Sequence, residues 1–169
     1  MRRVLALGKH RRMTDALLII WHSRTGGSRA LAEAAAEGGG RLVAAAEATA
    51  DDLIAAGGYL FIGPENLAAL SGAMKEMFDR NYYPCLGKLE GRPYATIICA
   101  GSDGEGAQRQ LDRIATGWRL KRVVDPLIVN TAAQTPEAIL APKTIAPGRL
   151  GEARDLGATL AEGIAAGIF

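Results

Sequence analysis

Short apolar runs alternate with longer amphipathic stretches along most of the chain. Ala16–Trp21 is an unbroken buried-strand run, and a polar, glycine-containing turn follows it. Residues 28–37 are rich in strong helix formers and stop at Gly38-Gly39-Gly40. Arg41–Ala46 reads as a second strand, and Asp51 and Asp52 suit the start of a short helix over 51–56. Gly58–Gly63 is a third strand, expected to break at Gly63-Pro64. A helix over 72–80 places Met74, Met77 and Phe78 on one face. Pro93–Ala100 is a fourth strand. Glu105–Trp118 is a helix with Leu111, Ile114, Ala115 and Trp118 inward. Lys121–Asn130 is a fifth strand, 131–148 a proline-containing connection, and Leu150–Ala166 a closing helix.

Five strands with helices between them predict a doubly wound α/β domain with a parallel sheet. In such sheets ligands bind at the carboxyl ends of the strands. That rule selects three loops: 22–28, 63–71 and 101–106.

The loop after strand one reads His22-Ser23-Arg24-Thr25-Gly26-Gly27-Ser28. Its glycines let the backbone turn tightly and approach a ligand closely. Amides at a helix start lack internal partners and sit at the positive end of the helix dipole. Hydroxyls at Ser23, Thr25 and Ser28 add donors, and Arg24 adds charge. The combination suits a phosphate monoester. An ordinary Ser/Gly loop with Ser28 as helix cap is the competing reading. The loop is neither a Walker loop nor a dinucleotide fingerprint, because Gly-Lys-Ser/Thr and Gly-x-Gly-x-x-Gly are both missing.

Ser23-x-Thr25-Gly26-x-Ser28 resembles the phosphate loop of flavodoxins and flavodoxin-like NAD(P)H reductases. The resemblance runs over most of 16–130. It implies a flavodoxin-like three-layer sandwich with a five-stranded parallel sheet in the order 2-1-3-4-5. It also implies flavin mononucleotide (FMN) as cofactor, its phosphate held by Ser23, Arg24, Thr25, Gly26, Gly27 and Ser28. By the same resemblance Pro64, Glu65, Asn66, Leu67 and Ala68 border the flavin ring. Leu67 and Ala68 can give apolar contact, and Asn66 can bond the ring edge. The glycine-rich loop Ala100, Gly101, Ser102, Asp103, Gly104 and Gly106 holds the pyrimidine edge. Gln108 and Arg109 read as solvent-facing.

The implied chemistry is that of the cofactor. The sequence nominates no protein acid or base, and His22 reads as structural. One functional class is an NAD(P)H-dependent oxidoreductase that passes electrons from NADH or NADPH to a quinone, flavin or similar small acceptor. The other is an electron-transfer flavodoxin without a small-molecule substrate. The ring loop 63–71 has no aromatic residue, and aromatics make up 5% of the chain. Electron-carrier relatives are usually strongly acidic, so these features lean toward the reductase class. Relatives of that class commonly pair subunits, which implies a homo-oligomer.

Charge and composition refine this picture. The formal net charge is +2, but Arg2, Arg3, Lys9, Arg11 and Arg12 crowd the first twelve residues. Without them 15 basic residues face 18 acidic ones, so 13–169 carries −3. Residues 1–12 read as a disordered basic arm before a domain at 13–169, and Met13 is a second candidate start. A basic arm can touch nucleic acid or anionic membrane. The acidic body makes nucleic acid an unexpected partner. The arm lacks the apolar segment of a signal peptide. No run approaches the roughly 18 apolar residues of a membrane span, so a soluble, cytoplasmic protein is expected. Two histidines, His10 and His22, leave almost no ligands for zinc. Cys85 and Cys99 are too few and too far apart for a disulfide framework. Cys99 reads as core, and Cys85, after Pro84 in an expected loop, as the more accessible thiol.

Overall fold

A computed structural model describes residues 16–169. The basic arm at 1–12 and Met13 lie outside the described residues. Among the described residues seven strands and six helices occur in the order β1 (Leu17–Trp21), α1 (Gly27–Gly38), β2 (Arg41–Ala44), α2 (Ala50–Ala55), β3 (Gly58–Asn66), β4 (Ala69–Leu70), α3 (Gly72–Cys85), β5 (Pro93–Ala100), α4 (Glu105–Gly117), β6 (Lys121–Arg122), β7 (Leu127–Asn130), α5 (Pro136–Leu140) and α6 (Pro147–Ala165). The parallel sheet runs β2-β1-β3-β5, with β6 and β7 both pairing on the far edge of β5 and β4 folding back on β3. The expected 2-1-3-4-5 order is therefore present, with the fifth strand divided into β6 and β7.

Side chains alternate across the central strands as a doubly covered sheet requires. Leu17, Ile19, Leu60, Ile62 and Ile97 face α1 and α6. Leu18, Ile20, Tyr59, Phe61 and Ile98 face the layer formed by α2, α3 and α4. Met74, Met77 and Phe78 do share the inward face of α3, and Leu111, Ala115 and Trp118 that of α4. Phe61 sits among Tyr59, Phe78 and Tyr94, with ring centroids 5.0–6.3 Å apart.

Three elements and one buried side chain depart from the sequence reading. Strand β3 does not break at Gly63-Pro64 but continues to Asn66. Strand β1 has already ended at Trp21, opposite Ile62, so Pro64 owes it no ladder bond. Helix α3 continues past Arg80 and carries Pro84 in its last turn. Cys85 is consequently turned inward and buried, not accessible, and burial pushes its thiol pKa up. The connection after β7 contains the short helix α5, capped by Thr135, whose hydroxyl accepts the Ala138 amide at 3.3 Å. Gln108, read as solvent-facing, is buried, and its Oε1 accepts the Thr96 hydroxyl at 2.7 Å.

Asp79 pairs with Lys75 one turn earlier, and Arg80 pairs with Glu76 and also donates to Ala45 and Ala48 carbonyls. Tyr82 and Tyr83 contact each other, and Tyr83 stays largely exposed. Among the described residues no helix is long and apolar enough to cross a membrane, and no His/Cys/Asp/Glu cluster could hold a metal ion.

Helices α1 and α6 touch backbone to backbone. A Cβ on Gly157 would lie 2.0 Å from the Ala35 carbonyl oxygen, whereas one on Gly151, in the same helix, would meet nothing. Gly157→Ala is expected to lower stability in urea unfolding by roughly 1–3 kcal/mol through overpacking. Gly151→Ala is expected to leave the midpoint unchanged or raise it, since Ala is the better helix former by up to about 1 kcal/mol.

Candidate functional site

The carboxyl ends of β1, β3, β5 and β7 open into a cavity of about 620 Å³. That lies within the roughly 300–1,000 Å³ usual for small-molecule sites. Its walls come from all three sequence-selected loops and from the segment after β7.

The first wall is the loop entering α1. Ser23, Arg24, Thr25, Gly27 and Ser28 line the cavity; Gly26 does not. Gly26 instead caps α1 in the left-handed region at φ 94°, where only glycine is free of strain. Its amide donates to Ser23 Oγ at 3.1 Å, closing the turn. Helix α1 thus begins at Gly27, and Ser28 is inside the first turn rather than its cap. The helix start leaves the Gly27 and Ser28 amides without carbonyl partners inside the helix. Ser28 is 2% exposed, and its hydroxyl makes no hydrogen bond of good geometry. A Cβ on Gly27 would lie 2.8 Å from Cys99 Sγ, so only glycine lets this turn sit on the cavity floor. Burial raises the pKa of the Cys99 thiol.

The second wall is a hairpin the sequence did not reveal. Glu65 pairs with Leu70 and Asn66 with Ala69, leaving Leu67-Ala68 as a two-residue turn. Both have positive φ, 51° and 60°. Paired positive φ is the geometry of a type I′ turn, which favours Asn and Gly. Leucine and alanine there carry strain of roughly 1–2 kcal/mol each. Leu67 is fully exposed at the tip, on the cavity rim.

Glu65 lines the cavity, but its carboxylate is engaged elsewhere. Oε1 accepts the Gly104 amide at 2.8 Å and Oε2 the Ala107 amide at 3.0 Å. Glu65 therefore caps α4 from another element, a favourable place for an anion. A Cβ on Gly106 would lie 2.2 Å from the Ala68 carbonyl oxygen. The absence of a side chain at Gly106 lets the hairpin tip rest on α4.

The third wall is Ala100, Gly101 and Ser102, with Cys99 behind them. Asp103, Gly104 and Gly106 do not line the cavity. They form the turn into α4 that receives Glu65. The chain after β7 holds this loop: Asn130 Nδ2 donates to the Ser102 carbonyl, and Thr131 Oγ1 to that of Ala100 at 3.1 Å.

The fourth wall was absent from the sequence reading. Thr131, Ala133, Ile139, Leu140 and Lys143 all line the cavity. Their segment has no long hydrophobic period, and its helix is five residues long, so periodicity carried no signal.

Behind the phosphate-type loop, His22 Nδ1 lies 2.8 Å from the buried Ser71 hydroxyl at the start of α3. This is a structural role, as read from sequence. Burial and the nearby Arg24 charge lower the His22 pKa.

No protein-family model matches the chain. Over 97 residues, 53% of its length, it is 35% identical to a flavodoxin of Aquifex aeolicus (strain VF5), and the match spans half of that relative. Among solved structures it is similar to a flavodoxin from the domain Archaea, with TM-score 0.70 and 15% identity over 88% of this chain and 98% of that one. A WrbA-like flavodoxin from Agrobacterium tumefaciens gives TM-score 0.67 and 22% identity over 89% and 97%. The flavodiiron protein from Giardia intestinalis gives TM-score 0.71 and 13% identity over 92% of this chain and 37% of that one. The fold is flavodoxin-like.

Two predictions follow from the local chemistry. Glu65→Ala removes a carboxylate from two helix-start amides and should cost about 1–3 kcal/mol in urea unfolding. Glu65→Gln should cost less. His22 has a folded pKa below its ordinary value of 6.5, so the unfolded chain binds the proton more readily. Its contribution to stability is present above pH 6.5 and lost as pH falls below it. Melting temperature should therefore drop between pH 7 and pH 5, and His22→Asn should flatten that part of the profile.

Proposed function

We propose that this flavodoxin-like chain binds FMN and acts as an NAD(P)H-dependent oxidoreductase that reduces a quinone, flavin or similar small acceptor. The observation that carries the reading is the buried Ser28 hydroxyl, with only the Cys99 thiol as a polar neighbour, beside helix-start amides in a cavity rimmed by aliphatic side chains. A phosphate monoester supplies the acceptors that Ser28 and the Gly27 and Ser28 amides lack. The bare Gly27 backbone leaves room for its approach. Leu67 offers apolar contact to a flat ring, and Asn66 offers polar groups for its edge. The residues fit the cofactor.

When bound, FMN supplies two-electron and one-electron redox chemistry that no side chain here can supply. The protein's part is to hold and orient it. The first loop fixes the phosphate through Ser28, Thr25 and the Gly27 and Ser28 amides, with Arg24 adding charge. Glu65 acts at one remove, by fixing the hairpin that carries Leu67 against α4. Gly104 and Gly106 act in the same way, as part of that joint.

The aliphatic rim and the mildly acidic body support the reductase reading over the carrier reading. A second reading, an electron-transfer protein without a small-molecule substrate, is favoured by the 35% identity to the Aquifex flavodoxin. A paired-subunit state belongs with the reductase reading.

The purified chain, incubated with FMN and desalted, should retain visible flavin absorbance. Ser28→Ala should raise the Kd for FMN roughly 10- to 100-fold, the worth of one hydrogen bond to a charged group, and leave riboflavin binding unchanged. The loaded protein should oxidise NADH or NADPH with a quinone acceptor. Flavin retention without turnover on either nucleotide would select the carrier reading. A chain that takes up no FMN would contradict both.

A further inference from the structure

Lys143 ties two walls of the cavity together. Its ammonium donates to the carbonyls of Ala138 at 2.7 Å, Ile139 at 2.9 Å and Ala141 at 2.6 Å. An ammonium has three donors, and all three are used on the end of α5. Cations are favoured at a helix C-terminus, where carbonyls lack partners. The Lys143 amide donates to the Thr25 carbonyl at 2.7 Å, in the phosphate-type loop. One residue therefore grips α5 with its side chain and the first loop with its backbone.

Among the described residues, helix α5 has no other strong anchor. None of its residues is buried. Ile139 and Leu140 are 53% and 78% exposed, yet both line the cavity. Two adjacent large aliphatic side chains are held over a polar loop by hydrogen bonds rather than by burial. The chain re-enters the core only at Ile145.

The geometry points to Lys143 as a positioning residue of the ligand site: it holds Ile139 and Leu140 as an apolar wall for the ring portion of a phosphate-bearing flavin. The inference rests on the FMN reading above. The occupant follows from continuity, since Thr25, Gly27 and Ser28 line the same cavity as Ile139 and Leu140. With its donors on α5, the Lys143 ammonium acts through the wall and not as a phosphate ligand.

The test titrates FMN and riboflavin, by quenching of flavin fluorescence, into wild type, Lys143→Met, Lys143→Arg and the double variant Ile139→Ser/Leu140→Ser. Lys143→Met should weaken both flavins by a similar factor, roughly five- to tenfold for the loss of one apolar wall. Lys143→Arg keeps the cation and should restore most of the affinity. The double variant leaves Lys143 and the core untouched, so it tests the wall even if Lys143→Met folds poorly. It too should weaken both flavins alike. Loss confined to FMN in Lys143→Met would instead make Lys143 a phosphate ligand and overturn the inference. Unchanged binding in the double variant would overturn it as well. Wild type that binds neither flavin would remove the FMN reading and this inference with it, an outcome distinct from wild-type binding with unaffected variants.

Discussion

The parallel register of β3 on β5 decides where everything at the cavity lies. It runs from Tyr59 opposite Tyr94 to Pro64 opposite Cys99. Because it continues to within two residues of the end of each strand, the end of β3 lies beside the chain leaving β5. Glu65, the residue after Pro64 and still in β3, then reaches the Gly104 and Ala107 amides. A slip by one residue would turn the alternating core residues to the wrong face of the sheet. It would also take Glu65 away from α4. The same register places Cys99 beneath Gly27, so the phosphate-type loop is set by the central strands too.

That constraint divides the work among the loops. The loop before α1 leaves the Gly27 and Ser28 amides without acceptors inside the helix, beside the buried Ser28 hydroxyl. In the loop before α4 and the turn that follows, the amides at Gly104 and Ala107 are taken by Glu65. The start of α4 already holds a protein carboxylate, whereas the first turn of α1 carries no acidic residue. This asymmetry supports the proposed placement of a phosphate at Ser28. The hairpin tip, strained at Leu67 and Ala68, holds an exposed leucine where a relaxed Asn-Gly turn would offer no apolar surface. Backbone strain of this kind clusters at ligand sites, which supports the proposed contact of Leu67 with a ring.

The sequence made the strands legible because buried parallel strands read as apolar runs, and β1, β3 and β5 are such runs. The phosphate-type loop was legible because its glycines and hydroxyls are local, within six residues before a helix. The hairpin was hidden because Pro64 argued for a break and Leu67-Ala68 carries no turn signal. Cys85 was misplaced for a related reason: Pro84 suggested a loop where α3 has one more turn. The α5 wall was hidden more deeply, since its link to the site is the contact of Lys143 with Thr25, 118 positions apart in sequence. Gly104 and Gly106, read as residues holding the ring edge, lie off the cavity lining. They accommodate the hairpin and its carboxylate, and the cavity surface belongs to Ala100, Gly101 and Ser102.

The central claim is that the start of α1 grips the phosphate of FMN. Amide chemical-shift mapping tests it residue by residue, in parallel titrations with FMN and with riboflavin. The account predicts large shifts of the Gly27 and Ser28 amides with FMN and much smaller ones with riboflavin, while amides of the 66–68 turn respond to both. Equal responses of Gly27 and Ser28 to the two ligands, or none to FMN, would contradict it.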